Sequence, residues 1–516
     1  MENSTRTKNS ARNIVFSVIS NLTNILLMGV IRIFFVRYFA VEYLGLNSLF
    51  ANILSILSIT ESGFGAAIVF AMYKPMAEQN SERIRRLLAF YKKAYFIIFL
   101  IILALGLGII PFLRFIVKDY NLLDVNFYVV YSLFLANTLC GFFVAHRRSL
   151  FITNQRIDIE QKINFVCYII ASVLQLLSII VFKNFYFYVL SSLISTIINS
   201  VLVLLITNKK FPELVLKTNN KLEDETKKSI KKNVAALITH KIGGVVLSGT
   251  DSIVISVFLG LTILGKYSNY LLITTCLATI LNLLINSFQG SIGNSIATQS
   301  SEVNFKLFEK LDMLFLWIVG FFSIGILTLS SPFIGFVFGQ EYALDNLTVI
   351  IIAFNFYLRY IRSVVYSFKE CKGLFWENRY MPIIEALVNL VISIVLVQFI
   401  GLIGVILGTI ISGVVMPLWF EPYILNKTYF KQNGLWYIKI IAPLILSTLI
   451  SAIACWVLVG LIPSGNIWWL ILKFIVVILV SNLLIFVLSL YNKGFRGMLK
   501  FIKEKVKQLL GGKQEK

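Results

Sequence analysis

Two carboxylates stand where a chain this apolar should not carry them. Glu61 lies in SITESGFGAAIVF (58–70) and Asp251 in SGTDSIVISVFLG (248–260). A charge at the centre of an apolar helix costs about 2.5–3.5 kcal/mol on insertion scales, so a short acid there needs a basic partner or a wet cavity. In a cavity it can bind Na⁺ or take up H⁺, and both residues are candidates for ion coupling. Arg32, Lys241, Arg362 and Glu385 lie nearer the ends of their apolar stretches, where reaching the interface and pairing locally both satisfy the charge. His240 has the side chain of a proton relay, but a lone membrane histidine reads first as a hydrogen-bonded packing residue.

Uncharged polar residues fall in rows. Thr275, Thr279, Asn282, Asn286, Gln289 and Gly293 follow steps of four, three, four, three and four, which is one stripe of an α-helix. Asn13, Ser17, Asn21 and Asn24 form a second row that leads towards Arg32; His240, Gly244, Ser248 and Asp251 form a third, with Lys241 beside it. Asn355, Arg359, Arg362 and Tyr366 make a fourth, and Glu385, Asn389 and Ser393 a fifth. Such rows hydrogen-bond either a neighbouring helix or a hydroxylated ligand in a water-lined interior. Six positions in series favour the interior for Asn282, Asn286 and Gln289.

The elements that must hold these rows are membrane helices. Of 516 residues, 58% are hydrophobic and 14% charged, too little polar surface for a soluble fold of this size. The chain is predicted to be all-α, with about fourteen spans near 13–37, 44–72, 94–117, 125–146, 163–182, 185–206, 233–259, 264–297, 311–337, 343–367, 380–400, 402–425, 436–461 and 467–490. The first is read as an uncleaved span and not as a signal peptide. With both termini in the cytoplasm, 36 Lys or Arg fall on that side and 5 on the other, so the net charge of +22 reports orientation and not nucleic-acid binding.

The longest polar interruption, KKFPELVLKTNNKLEDETKKSIKKN (209–233), divides the spans into six and eight. EYLGLNSLF (42–50) is similar to TILGKYSNY (262–270), which matches Gly45 with Gly265, and Glu61-x-x-x-Gly65 aligns with Gln289-x-x-x-Gly293. A repeat of six spans preserves orientation, so two bundles would be related by an axis along the membrane normal. The expected organisation is an N-terminal six-helix bundle (1–208), a basic linker (209–232), a C-terminal six-helix bundle (233–430), two further spans (431–492) and a basic tail (493–516). Five scattered cysteines give neither a disulfide framework nor a metal site, and no phosphate-binding loop or catalytic motif is apparent. A transporter that is not an enzyme is the expectation, with no metal and no cofactor beyond coupling to Na⁺ or H⁺.

Three strings, VRYFAVEYLGLNSLFANILSILSITESGFGAAIVFAMYKPMAE (36–78), TDSIVISVFLGLTILGKYSNYLLI (250–273) and KGLFWENRYMPIIEALVNL (372–390), carry a resemblance over essentially the whole chain. It resembles the Wzx-type polysaccharide flippases of the multidrug/oligosaccharidyl-lipid/polysaccharide exporter superfamily, which includes the MATE transporters. That resemblance implies two six-helix bundles facing each other plus two C-terminal helices, in a bacterial cytoplasmic membrane. It implies movement of an undecaprenyl-diphosphate-linked oligosaccharide to the outer leaflet by alternating access, for capsule, exopolysaccharide or another surface glycan. For such a substrate Arg32, Lys241, Arg359 and Arg362 are the candidate diphosphate donors, and Asn21, Asn24, Asn282, Asn286, Gln289 and Asn355 the candidates for sugar hydroxyls. A glycan polymerase and assembly proteins are the implied partners, besides the bilayer. The alternatives are a cation-coupled exporter of small amphipathic molecules within the superfamily and, from another class, a membrane glycan polymerase or ligase.

Overall fold

A computed structural model describes residues 3–216, 218, 222–374, 377–432 and 436–511, and those residues are helical throughout, with no strand among them. The chain forms two compact units, Met1–Gly265 and Lys266–Lys516. Among the described residues ten helical stretches are long and apolar enough to cross a membrane, eleven if one pair bent by 45° counts as a span.

The first unit runs α1 (Asn3–Tyr38), α2 (Val41–Leu57), α3 (Ile59–Ala77), α4 (Ser81–Ile109), the single turn α5 (Leu113–Ile116), α6 (Phe127–Phe142), α7 (Ala145–Thr153), α8 (Ile157–Ile180), α9 (Phe185–Lys210) and α10 (Asp224–Leu259). Asparagine side chains start several of these: Asn80 accepts from Arg83 N–H, Asn126 from Tyr128 N–H and Asn184 from Tyr186 N–H. Each satisfies a backbone donor that the helix itself leaves unpaired. α1 packs on α8, α8 on α9, α6 on α9, and α10 on both α2 and α3. The α10 contact is close because Gly249 lies against Ile56, and Asn52 donates to Ser252 Oγ at 3.0 Å.

α11 (Leu261–Thr298) starts in the first unit after Gly260, whose φ of +91° suits glycine. Its first turn meets the start of α2 reciprocally. A Cβ on Gly45 would collide with the Leu261 carbonyl oxygen, and one on Gly265 with the Val41 carbonyl oxygen. Between them Thr262 Oγ1 donates to Glu42 at 2.7 Å. The glycines matched by the internal similarity are thus opposed, and each lets the other helix's backbone approach as only glycine allows.

In the second unit the remainder of α11 is followed by α12 (Ser301–Val337), α13 (Asn346–Tyr360), α14 (Ser363–Lys372), α15 (Met381–Val415), α16 (Pro417–Leu425), α17 (Trp436–Gly460), α18 (Ile467–Ser489) and α19 (Lys493–Gly511). α12 is central and packs on α13, α14, α17, α18 and α19. At 37 residues it is roughly 55 Å long, so it extends beyond the ~30 Å of hydrocarbon it has to cross. A buried apolar cluster forms where α12, α17 and α18 meet, around Ile324, Cys455, Val477 and Ile485. Hydrogen bonds reinforce it: Trp317 Nε1 donates to Asn482 at 3.0 Å and Ser489 Oγ to Ser447 Oγ at 3.2 Å.

α15 is a hairpin of two antiparallel arms. The backbone leaves helical geometry at Ile400 and Gly401, where Gly401 has φ +58°. Asn389 then donates to Thr409 Oγ1 at 2.9 Å and Ser393 Oγ to the Val405 carbonyl at 3.2 Å, so the arms are held face to face. The break falls between the spans expected at 380–400 and 402–425. The expected spans 44–72 and 233–259 fall on α2 with α3 and on α10, whose described apolar parts, Val41–Leu57, Ala67–Ala77 and Gly249–Leu259, are shorter than a membrane crossing.

Candidate functional site

The second unit contains a buried ion cluster. The helix formed by α13 and α14 breaks at Ile361 and Arg362, and the freed Ile361 carbonyl accepts from Tyr437 Oη at 3.2 Å. The break turns the Arg362 guanidinium towards α16, where Nη1 meets Glu421 Oε2 at 3.1 Å; Nη2 lies 3.8 Å from Glu385 Oε1 on the first arm of α15. Two turns along α14, Lys369 Nζ takes the other oxygen of Glu421 at 2.6 Å and lies 4.7 Å from the centre of the Tyr366 ring. Glu421 is 1% exposed, Lys369 2% and Glu385 6%, so three of the four charged groups are withdrawn from solvent and Arg362 is half-buried.

Their formal charges cancel, and each oxygen of Glu421 has its own cation. That arrangement offsets a desolvation cost of several kcal/mol per ion, and losing any one member would strand a buried charge. The cluster locks α14, α15 and α16 together. Beside it Gln289 Nε2 donates to Glu370 Oε2 at 3.1 Å, and the Cys371 thiol approaches the Gln289 carbonyl at 3.6 Å, which ties α11 to α14. Arg359 is exposed; it stands outside these ion pairs and acts on Glu385 only through space.

Within this unit, sequence-derived candidates therefore separate. Arg362, expected to be available for a diphosphate, is neutralised by two carboxylates, while Arg359 keeps its guanidinium in the open. Gln289 is occupied by Glu370, whereas Asn282 and Asn286, on the same α11 stripe, are exposed together with Thr275. Thr279 donates back to the Thr275 carbonyl of its own helix at 2.8 Å. Asn355 is half-buried.

In the first unit Asn21 donates to the Ser17 carbonyl of its own helix at 2.8 Å, and Asn24 and Arg32 are half-buried. Asn13 serves packing: it donates to the Gln155 carbonyl at 3.1 Å and accepts from Asp158 N–H at 2.9 Å, which binds α1 to the start of α8. Glu61 sits at the start of α3, directly after the break at Ser58, and Asp251 lies on α10 one residue from the Asn52–Ser252 contact; both are half-buried. Glu61 is within electrostatic reach of Tyr95 on α4. The side chains of His240 and Lys241 lie outside the described residues.

Several ionisable residues are not singled out as candidates by the sequence reading. Lys369 falls between the expected spans 343–367 and 380–400, and Glu421 goes unmarked; an acid inside an expected span, the criterion that selects Glu385, would have found it. Asp158 is fully buried and carries Arg12 at 3.1 Å, Arg156 at 3.0 Å and Lys162 at 3.7 Å. Arg148 pairs with Glu160 at 3.5 Å and donates to Asn199 at 2.7 Å. Asp312 on α12 is fully buried, and neither carboxyl oxygen has a hydrogen-bond partner among the described residues. No cluster of three or more His, Cys, Asp or Glu suited to a metal occurs among those residues.

Known proteins place this architecture. A solved structure described as lipid II flippase MurJ in an inward closed conformation superposes with a TM-score of 0.67 at 16% identity, over 92% of this chain and 99% of that one. An inward-facing multidrug resistance MATE family transporter of the MOP superfamily gives 0.62 at 13% identity, over 79% of this chain and 98% of that one. The Vibrio cholerae MATE transporter VcmN in its bent form gives 0.52 at 12% identity, over 83% and 99%. At these identities the likeness establishes the fold, that of the MATE and MurJ membrane transporters. No curated protein sequence matches significantly. The family model described as polysaccharide biosynthesis protein matches residues 10–288, more than half of the sequence. The chain therefore belongs to the polysaccharide biosynthesis protein family.

Proposed function

We propose that the protein is a flippase that carries an undecaprenyl-diphosphate-linked oligosaccharide from the cytoplasmic to the outer leaflet of a bacterial cytoplasmic membrane by alternating access, with fourteen spans and both termini inside. The observation that carries this reading is the exposed amide and hydroxyl stripe of α11, Thr275, Asn282 and Asn286, on a helix long enough to cross the membrane. A sugar head group cannot enter hydrocarbon bare, and side-chain amides replace the water it gives up. Membership in a polysaccharide biosynthesis family and the fold shared with a lipid II flippase support a lipid-linked glycan as cargo.

Within its unit exposed Arg359 is a better diphosphate donor than Arg362, which already answers two carboxylates. Glu61 and Asp251 are the proposed sites of coupling to Na⁺ or H⁺. The product would pass to a glycan polymerase and its assembly proteins.

Depletion of the protein, followed by mass spectrometry of membrane lipids, is expected to reveal a lipid-linked repeat unit that accumulates and stays inaccessible to glycosidases outside the cell. A normal surface glycan and no accumulated intermediate, with increased sensitivity to amphipathic drugs, would instead support a small-molecule exporter of the same fold.

A further inference from the structure

The tail read in the sequence as a basic run is a helix. α19 begins four residues after α18 ends, so it lies where the last apolar helix leaves the hydrocarbon. One side is fixed to the protein. Phe495 and Met498 are fully buried, with the Phe495 ring 5.6 Å from Trp317 and 6.1 Å from Phe486. Gly494 lies against Met313, and the Lys310 ammonium is 5.6 Å from the Phe501 ring centre.

The other side is cationic. Lys493, Arg496, Lys500 and Lys503 recur at steps of three, four and three, so they share a stripe, and all four are exposed. Glu504 is the single acid between residues 493 and 511, so the stripe has little counter-charge of its own. Leu499 is half-buried between the two sides, and half-buried Ile502 extends the apolar side. A row of cations held rigidly at headgroup depth beside an apolar shoulder is complementary to an anionic lipid surface, with about fivefold in association for each cation near it.

We propose that α19 is a surface helix whose Lys493, Arg496, Lys500 and Lys503 stripe binds the anionic phospholipid headgroups of the adjacent leaflet, while Phe495 and Met498 fasten it to α12. Lipid charge then bears on α12, the central helix of its unit, without any contact with the transported molecule.

The full-length protein in nanodiscs of phosphatidylcholine, with and without phosphatidylglycerol, tests this by hydrogen-exchange mass spectrometry. Exchange across 493–511 is expected to slow at least fivefold when phosphatidylglycerol is present, and the gain to disappear in about 0.5 M NaCl, where screening acts within ~4 Å. Arg496→Gln with Lys500→Gln and Lys503→Gln should abolish the gain while α12 stays protected. Equal protection in neutral lipid, a gain indifferent to salt, or protection reproduced by inorganic phosphate alone would overturn the proposal. Should the triple variant fold poorly, the lipid and salt series on the unaltered protein still decides.

Discussion

Asp158 and Glu421 are both buried carboxylates that hold several cations, yet their surroundings differ. The partners of Asp158 are 30%, 32% and 50% exposed at the side chain, so its cluster opens onto solvent. Lys369 and Arg362, the partners of Glu421, are 2% and 20% exposed. Water and salt reach the first cluster and are kept from most of the second. Similar pairs therefore serve different purposes: one staples α1 to the start of α8 near a surface, and the other makes α14, α15 and α16 a single body in which loss of one charge is not healed by solvent.

The largest expected effect follows from the closed cluster. Glu421→Ala strands Lys369 and leaves Arg362 only the longer contact with Glu385, and should destabilise the protein by about 3–5 kcal/mol, read as lost yield and a lower Tm in detergent at any salt concentration. A stable Glu421→Ala variant would make the two clusters equivalent and break the contrast. A smaller effect is expected at the open cluster, where Asp158→Asn should cost about 1 kcal/mol, with the difference from the unaltered protein shrinking in high salt. A salt-independent loss there as large as that at Glu421 would erase the distinction.

The contrast also shows what was legible in the sequence. Helical class, membrane character and the break between 400 and 402 follow from composition and from Gly401, because apolar length and turn residues act locally. Gly45 and Gly265 stand out in the sequence as matched positions of a repeat, but that they oppose each other is not readable there. Nor is the ion cluster, since Lys369 and Glu421 are 52 residues apart and no periodicity links them. Lys369 resembles a loop cation until the break at Arg362 re-aims its helix, and Glu421 is set by the short helix Pro417–Leu425. The row from Thr275 to Gly293 lies on one unbroken helix and the row from Asn355 to Tyr366 crosses the break at Ile361 and Arg362, and residue type does not say which members are already occupied. Asn13 is spent on α8 and Gln289 on Glu370, whereas Asn282 and Asn286 are exposed.

That last difference bears on transport most directly. The decisive measurement is the rate at which the reconstituted protein flips a lipid-linked oligosaccharide when Asn282→Leu and Asn286→Leu are combined in a variant whose Tm is unchanged. The rate is expected to fall roughly tenfold or more, about what two lost hydrogen bonds to the sugar would remove. Flipping at the original rate, with the fold intact, would contradict the assignment of the α11 stripe as the path of the glycan.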